Sequence, residues 1–214
     1  MKGRRRSLGQ RDQHVTPFSA SLLRLCDAVG APAAAIVDSE GETVDYAGSV
    51  DPFDIKVAAA EWAVVFARLK ACRSPLLASA SELRIRGARR SYVVRRLADD
   101  YALVLQLLPY CFAVSARGLN EALREVALEA GLPAAPGTNE KEQWVRVDIR
   151  CVSRSSRRPS AIWVKGSWLA VEVLGRWDAG SGELGYRARL ASGAEFTLIR
   201  ERLGRWYAEG PLPF

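Results

Sequence analysis

The stretch AAAIVDSEGETVDYAG, Ala33 to Gly48, holds four acids within eight residues: Asp38, Glu40, Glu42 and Asp45. It is read either as a carboxylate site or as a turn between two strands. Ala33 to Val37 is small and apolar, as a buried strand is, and Thr43 to Tyr46 is β-prone. Between them, Asp38-Ser39-Glu40-Gly41 has turn chemistry: Asp supports the bend and Gly accepts positive φ. A calcium loop needs spaced ligands closed by a distant Glu, and that spacing is absent. A general acid–base pair needs carboxyl groups buried together with shifted pKa. Acids around a turn are expected to stay solvated and ionised, so the stretch predicts a hairpin, and Asp99-Asp100 is read the same way.

The flanks agree with that reading. Upstream, Thr16-Pro17 is an N-cap followed by Pro at the first helical position. Phe18, Leu22, Leu25, Cys26 and Val29 then share one helical face, and Gly30 suits the C′ position. Downstream, Asp51-Pro52 opens a second helix, DPFDIKVAAAEWAVVFARLK, with Asp54 near its positive end. Its polar residues Asp54, Glu61 and Arg68 form one narrow stripe, and the rest is apolar almost all round. A helix on one sheet face should be apolar on one side only. This one is expected to be buried twice, once on its own sheet and once on a second copy of the chain. The predicted interface is the helix Asp54–Leu69 with the strand Glu82–Arg86, through Ile55, Ala58, Trp62, Val65, Leu69, Leu83 and Ile85.

A loop with Ser74-Pro75 follows. SELRIRG alternates like an edge strand. SYVVRRL and YALVLQLL form a hairpin whose second strand, apolar on both faces, belongs at the centre of a sheet. A helix from about Ser115 to Ala130 turns Leu119, Leu123, Val126 and Ala130 inward and ends at Gly131. Residues 132–142, rich in Pro, Gly and Ala, read as a linker.

The order is therefore α-β-β-α-β-β-β-α. It resembles the Roadblock/dynein light chain family, on AAAIVDSEGETVDYAG followed at once by the helix from Asp51, and then on YVVRRLADDYALVLQL. The resemblance covers residues ~17–130, about half the chain. It implies an α+β domain that homodimerises and serves as a platform, either scaffolding a complex or regulating a small Ras-like GTPase. Such a regulator reshapes its partner's active site, and nothing in the sequence singles out an arginine finger.

Residues 143–214 differ in kind. Five of the six tryptophans, Trp144, Trp163, Trp168, Trp177 and Trp206, fall here. Short β-type runs separated by Gly166, Gly180, Gly182 and Gly193 predict five or six antiparallel strands in a small barrel or curled sheet. Tryptophans at alternating strand positions are read mostly as core. The domains expected are a disordered basic arm over 1–15, a Roadblock-like domain over 16–131, the linker, and the all-β domain.

Charge and residue supply exclude several functions. The net charge of +7 is spread as +4 over residues 1–16, −1 over 17–130 and +4 over 131–214. Two basic groupings are candidate partner or nucleic-acid contacts. One is Arg89, Arg90, Arg95 and Arg96 around a hairpin of the first domain. The other is Arg154, Arg157 and Arg158 in SRSSRRPS, with Lys165. A nucleic-acid-associated protein using the basic arm and the Trp-rich domain is thus the alternative function. Cys26, Cys72, Cys111 and Cys151 are scattered, with none of the paired spacing of a zinc site, and are read as small buried hydrophobes in a reducing cytosol. His14 is the only histidine and lies in the arm, where a Ser-His or Cys-His arrangement could not be held. No apolar run has the length of a membrane span, and no apolar segment follows the basic start as in a signal peptide. The expectation is a non-enzymatic cytoplasmic protein without cofactor.

Overall fold

In the computed structural model, which describes residues 12, 14–98, 101–114, 116–132, 144–153, 155–180 and 182–210, the acid-rich stretch is a hairpin. Strand β1 (Ala33–Asp38) pairs antiparallel with β2 (Thr43–Gly48). The Asp38 carboxylate accepts the backbone N–H groups of Glu40 and Glu42 at 3.0 and 2.9 Å, and Gly41 takes a φ of 90°. These local hydrogen bonds from a short polar side chain close the turn.

The chain divides into two units, Met1–Cys111 with Arg117–Thr138 and Phe112–Ala116 with Asn139–Phe214. The first contains helix α1 (Pro17–Val29), the hairpin, α2 (Pro52–Lys70), a short α3 (Pro75–Ala78), strands β3 (Glu82–Ile85), β4 (Ser91–Ala98) and β5 (Tyr101–Leu107), and α4 (Ala116–Glu129). The order is the expected α-β-β-α-β-β-β-α, with α3 added in the Ser74-Pro75 loop. The sheet runs β2-β1-β5-β4-β3, antiparallel throughout, with β5 inside and β3 at an edge, as the residue patterns required.

Strand alternation sorts the core into two layers. Ala33, Ala35, Val37, Val94 and Val104 face α2, which buries Ile55, Ala59, Ala63 and Phe66 against them. Ile36 and Leu97 face the other way and meet Val126 of α4 and Phe18 of α1. The small alanines of β1 let α2 lie close to the sheet. Both long helices start on the expected caps: Thr16 and Ser19 form a reciprocal capping box, and the Asp51 side chain accepts from Phe53 N–H. Ala130, expected on the inner face of α4, lies past its end and is exposed.

One of the four acids departs from the expectation. Asp45 is buried, because its position in β2 turns it toward α1. There it accepts the hydroxyls of Thr16 and Ser19 at 2.5 and 2.6 Å and the Tyr46 N–H at 2.7 Å. It anchors the start of α1 to the sheet and makes no site.

The second unit is built from β6 (Trp144–Val147), β7 (Ile149–Cys151), β8 (Pro159–Val164), β9 (Ser167–Gly180), β10 (Glu183–Leu190), β11 (Glu195–Arg200) and β12 (Trp206–Glu209). They form one antiparallel sheet, β6-β12-β11-β10-β9-β8-β7. Only Asp148 separates β6 from β7. One bent strand therefore stands at both ends of the order, pairing first with β12 and then with β8, and it closes the sheet into a small barrel. Ile162, Val171, Tyr186, Leu198 and Trp206 are among the side chains that fill its interior. Most of residues 1–15 and 132–142, read as arm and linker, lie outside the described residues.

Candidate interaction surfaces

α2 carries apolar residues on two sides, and the sheet decides which side is which. Ile55 and Ala58, expected at an interface, are buried in their own domain. Trp62, Leu69, Leu83 and Ile85 are half-buried against the same core, Trp62 tilted on Tyr92 with ring centres 5.4 Å apart. Of the helix residues predicted at the interface, only Val65 is exposed. The outward face is instead Phe53, Val57, Val64 and Val65, with Glu61 and Arg68 between them; Phe53 is 72% and Val64 44% exposed. The sequence pattern registered apolar residues on both sides of α2, but Ile55, Ala58, Trp62 and Leu69, assigned outward, pack on the chain's own core. On a helix apolar nearly all round, the few polar residues fix the orientation poorly.

β3 lies at the sheet edge and pairs only with β4. Leu76 and Leu77 of α3 add exposed apolar surface after α2. The Asp54 carboxylate at the start of α2 holds the Arg90 guanidinium at 2.6 Å, which raises the Arg90 pKa further above its usual value.

The four arginines of the first hairpin do not form one basic edge. Arg95 is 1% exposed, because its place in β4 turns it into the layer beneath the sheet, where Glu82 stands 3.3 Å away. Burial pushes its pKa down, and Glu82 pulls it back up. Arg96 points to the α2 side, donates to the Ala80 carbonyl at 3.2 Å and covers the Phe66 ring. Arg90 is taken by Asp54, and Arg89 is exposed. Arg95 and Arg96 are thus structural, and the single-file sequence hid their opposite directions.

In the barrel, Trp206 alone of the five tryptophans is buried, at 6% exposure; Trp144 and Trp168 are half-buried, and Trp163 and Trp177 are exposed. This corrects the core reading. The inward places of β8 and β9 go to Ile162, Val164, Val171 and Val173, so the neighbouring tryptophans face out. Trp177 lies flat on Gly185, where an added Cβ would fall 2.0 Å from its ring. Arg157 and Arg158 border a groove with Arg176 and Tyr186, whose hydroxyl donates to the Arg157 carbonyl at 2.7 Å. Lys165 sits apart from them in the β8–β9 turn, and Arg154 lies outside the described residues. Arg187 and Arg189 are paired with Glu195 and Glu172.

Among the described residues, no three His, Cys, Asp or Glu side chains are placed to hold a metal ion, and no helix is long and apolar enough to cross a membrane.

No protein-family model matches the chain, and no curated protein matches it in sequence. Among solved structures, it is similar to MglB of Myxococcus xanthus, at 18% identity over 56% of this chain and 98% of that one, with a TM-score of 0.48. The gliding protein MglB of Thermus thermophilus gives 19% identity over 56% and 94%, with a TM-score of 0.48. A Roadblock/LC7 domain from Streptomyces avermitilis gives 12% identity over 53% and 97%, with a TM-score of 0.46.

Proposed function

We propose that the first unit homodimerises through the outer face of α2 and the open edge of β3, and that the dimer is a non-enzymatic cytoplasmic scaffold or regulator. The observation that carries this is the pairing of those two features. Phe53, Val57, Val64 and Val65 lie exposed on one side of α2, and β3 of the same unit has an unpaired edge. Covering apolar surface stabilises by roughly 25 cal/mol per Å², so closing off the still exposed parts of the Phe53 ring and the three valines favours association. A twofold axis passing between Val64 and Val65 brings Glu61 of one copy against Arg68 of the other, satisfying both exposed charges of the stripe. The partner class is a small Ras-like GTPase, which rests on the family resemblance and not on a catalytic group in this chain.

Sedimentation of the full chain tests the dimer. The wild type is expected to run as a dimer, and Val64→Asp as a folded monomer. Glu61→Arg should weaken the dimer, and Glu61→Arg with Arg68→Glu should restore it. A monomeric wild type removes the proposal. Co-sedimentation with a nucleotide-loaded Ras-like GTPase, and its hydrolysis rate with and without the dimer, test the partner class.

A further inference from the structure

The barrel carries a surface that dimerisation through α2 does not use. Where the strand bends at Asp148 it leaves β12 for β8, and the sheet parts. A groove of about 600 Å³ opens there, lined among others by Arg146, Asp148, Trp163, Trp168, Leu203 and Arg205. Trp163 and Trp168 face each other across the two-residue turn Lys165-Gly166, with ring centres 5.3 Å apart. Both turn residues have positive φ, 45° and 90°, as a tight right-twisted hairpin requires. The Arg150 guanidinium stands 4.2 Å from the Trp168 ring centre. Arg150, Trp168 and Trp163 thus form a short run of contacting flat groups, the two indoles tilted by 57° to each other, and the Trp163 ring at its end is 42% exposed.

The charge beside these rings is as distinctive. Arg146, Arg150 and Lys165 are exposed, and among the described residues none has a carboxylate partner. Arg205 is held by buried Glu201, and Asp148 is the one acid lining the groove. Elsewhere on the barrel, Arg187 and Arg189 are neutralised by glutamates. A proline-rich peptide would use the rings and leave the cations idle. An acidic peptide would use the cations and leave the rings in water. A strand that alternates flat bases with phosphates uses both.

We propose that this groove binds single-stranded nucleic acid, one base stacking on Trp163 and the flanking phosphates meeting Arg146, Arg150 and Lys165. The site differs from the basic loop of Arg157 and Arg158, which borders another groove. It is also independent of the dimer proposal, since none of its residues lies in α2 or β3.

The test is fluorescence anisotropy of the full chain with a labelled single-stranded thymidine oligomer of about twelve nucleotides, at ~50 and ~200 mM salt. Binding should weaken about tenfold with Trp163→Ala and with Trp168→Ala, and little with Trp163→Phe, which keeps a stacking ring. Arg150→Ala should flatten the log-affinity against log-salt slope by about 0.7, the loss of one phosphate contact. Arg187→Ala and Arg189→Ala should bind as the wild type does. Circular dichroism establishes that each variant is folded; if Trp168→Ala is not, Trp163→Ala and Arg150→Ala decide. Unchanged binding in Trp163→Ala overturns the proposal, since contact is then by charge alone, as the basic arm could provide. So does displacement of the oligomer by an equally charged glutamate peptide, or binding of a proline-rich peptide in its place.

Discussion

Asp45, Gly48 and Cys151 are each single residues set by neighbours distant in sequence. Asp45 takes two hydroxyl donors from the start of α1 and one backbone N–H. Removing a buried, charge-assisted acceptor leaves its donors unmet, so Asp45→Ala should lower stability by ~2–4 kcal/mol in urea unfolding. Gly48 has a φ of 137°, and an added Cβ would stand 2.3 Å from the Pro32 carbonyl oxygen and 2.5 Å from the Ala33 Cα. Both are backbone atoms that cannot swing aside, so Gly48→Ala should unfold the first unit at a markedly lower temperature. Burial pushes the Cys151 thiol and the Tyr186 hydroxyl above their ordinary values of 9.0 and 10.0. Below pH 9.0 folded and unfolded chains both keep these protons; above it the unfolded chain sheds them first. Barrel stability should therefore be level near neutral pH and fall as pH rises past 9.0, with Cys151→Ala blunting the fall. Melting followed by tryptophan fluorescence checks this. Burial, expected of all four cysteines, holds for Cys26 and Cys111, while Cys151 is half-buried and Cys72, just past the end of α2, is exposed, so a thiol reagent at mild pH should modify one cysteine fast. The sequence shows Asp45 beside three look-alike acids, and nothing local marks it as buried. Its partners lie 26 and 29 residues away.

At the scale of elements, what was legible was what local chemistry sets. Thr16-Pro17 and Asp51-Pro52 start their helices, Gly30 ends one in the left-handed region, and DSEG turns the hairpin. Asp51→Ala should cost ~1 kcal/mol, the usual loss of a cap, with α2 otherwise intact by circular dichroism. The Asp54–Arg90 pair nearby is 43% and 42% exposed, and its removal should cost well under that. Direction around an axis was less legible. α2 is apolar on two sides, and only the small residues Ala33, Ala35 and Ala59 at its contact with the sheet show which side goes down. Arg95 and Arg96 differ by one place along β4 and so by half a turn in direction, one buried and one at the rim. The tryptophans of β8 and β9 failed the same way: alternation was visible, but its phase was set by Ile162 and Val171 claiming the interior. The candidate binding groove was invisible for a further reason. It arises where a strand changes partner at Asp148, and no local pattern announces that.

Taken whole, the chain joins a sheet with two edges to a sheet that meets itself. The second unit draws on a piece of chain from between β5 and α4. Phe112 packs edge-on to Trp144 and tilts on Tyr207, with ring centres 5.0 and 5.4 Å away, and its N–H donates to buried Glu201 at 3.2 Å. Phe112→Ala should therefore lower the melting of the barrel by the equivalent of ~2 kcal/mol and leave the first unit's transition nearly unmoved. Separate tryptophan and far-ultraviolet transitions would show it. The bent strand at Asp148 also sets how many copies can join. A barrel whose first strand is also its last offers no long row of unpaired amides, so growth by strand addition has to go through β2 or β3. If copies meet twofold at β3, the doubled sheet ends at both sides in β2, a strand already broken in register between Ile36 and Val37 of its partner. Assembly then stops at a pair, and the chain can present the same face twice without polymerising.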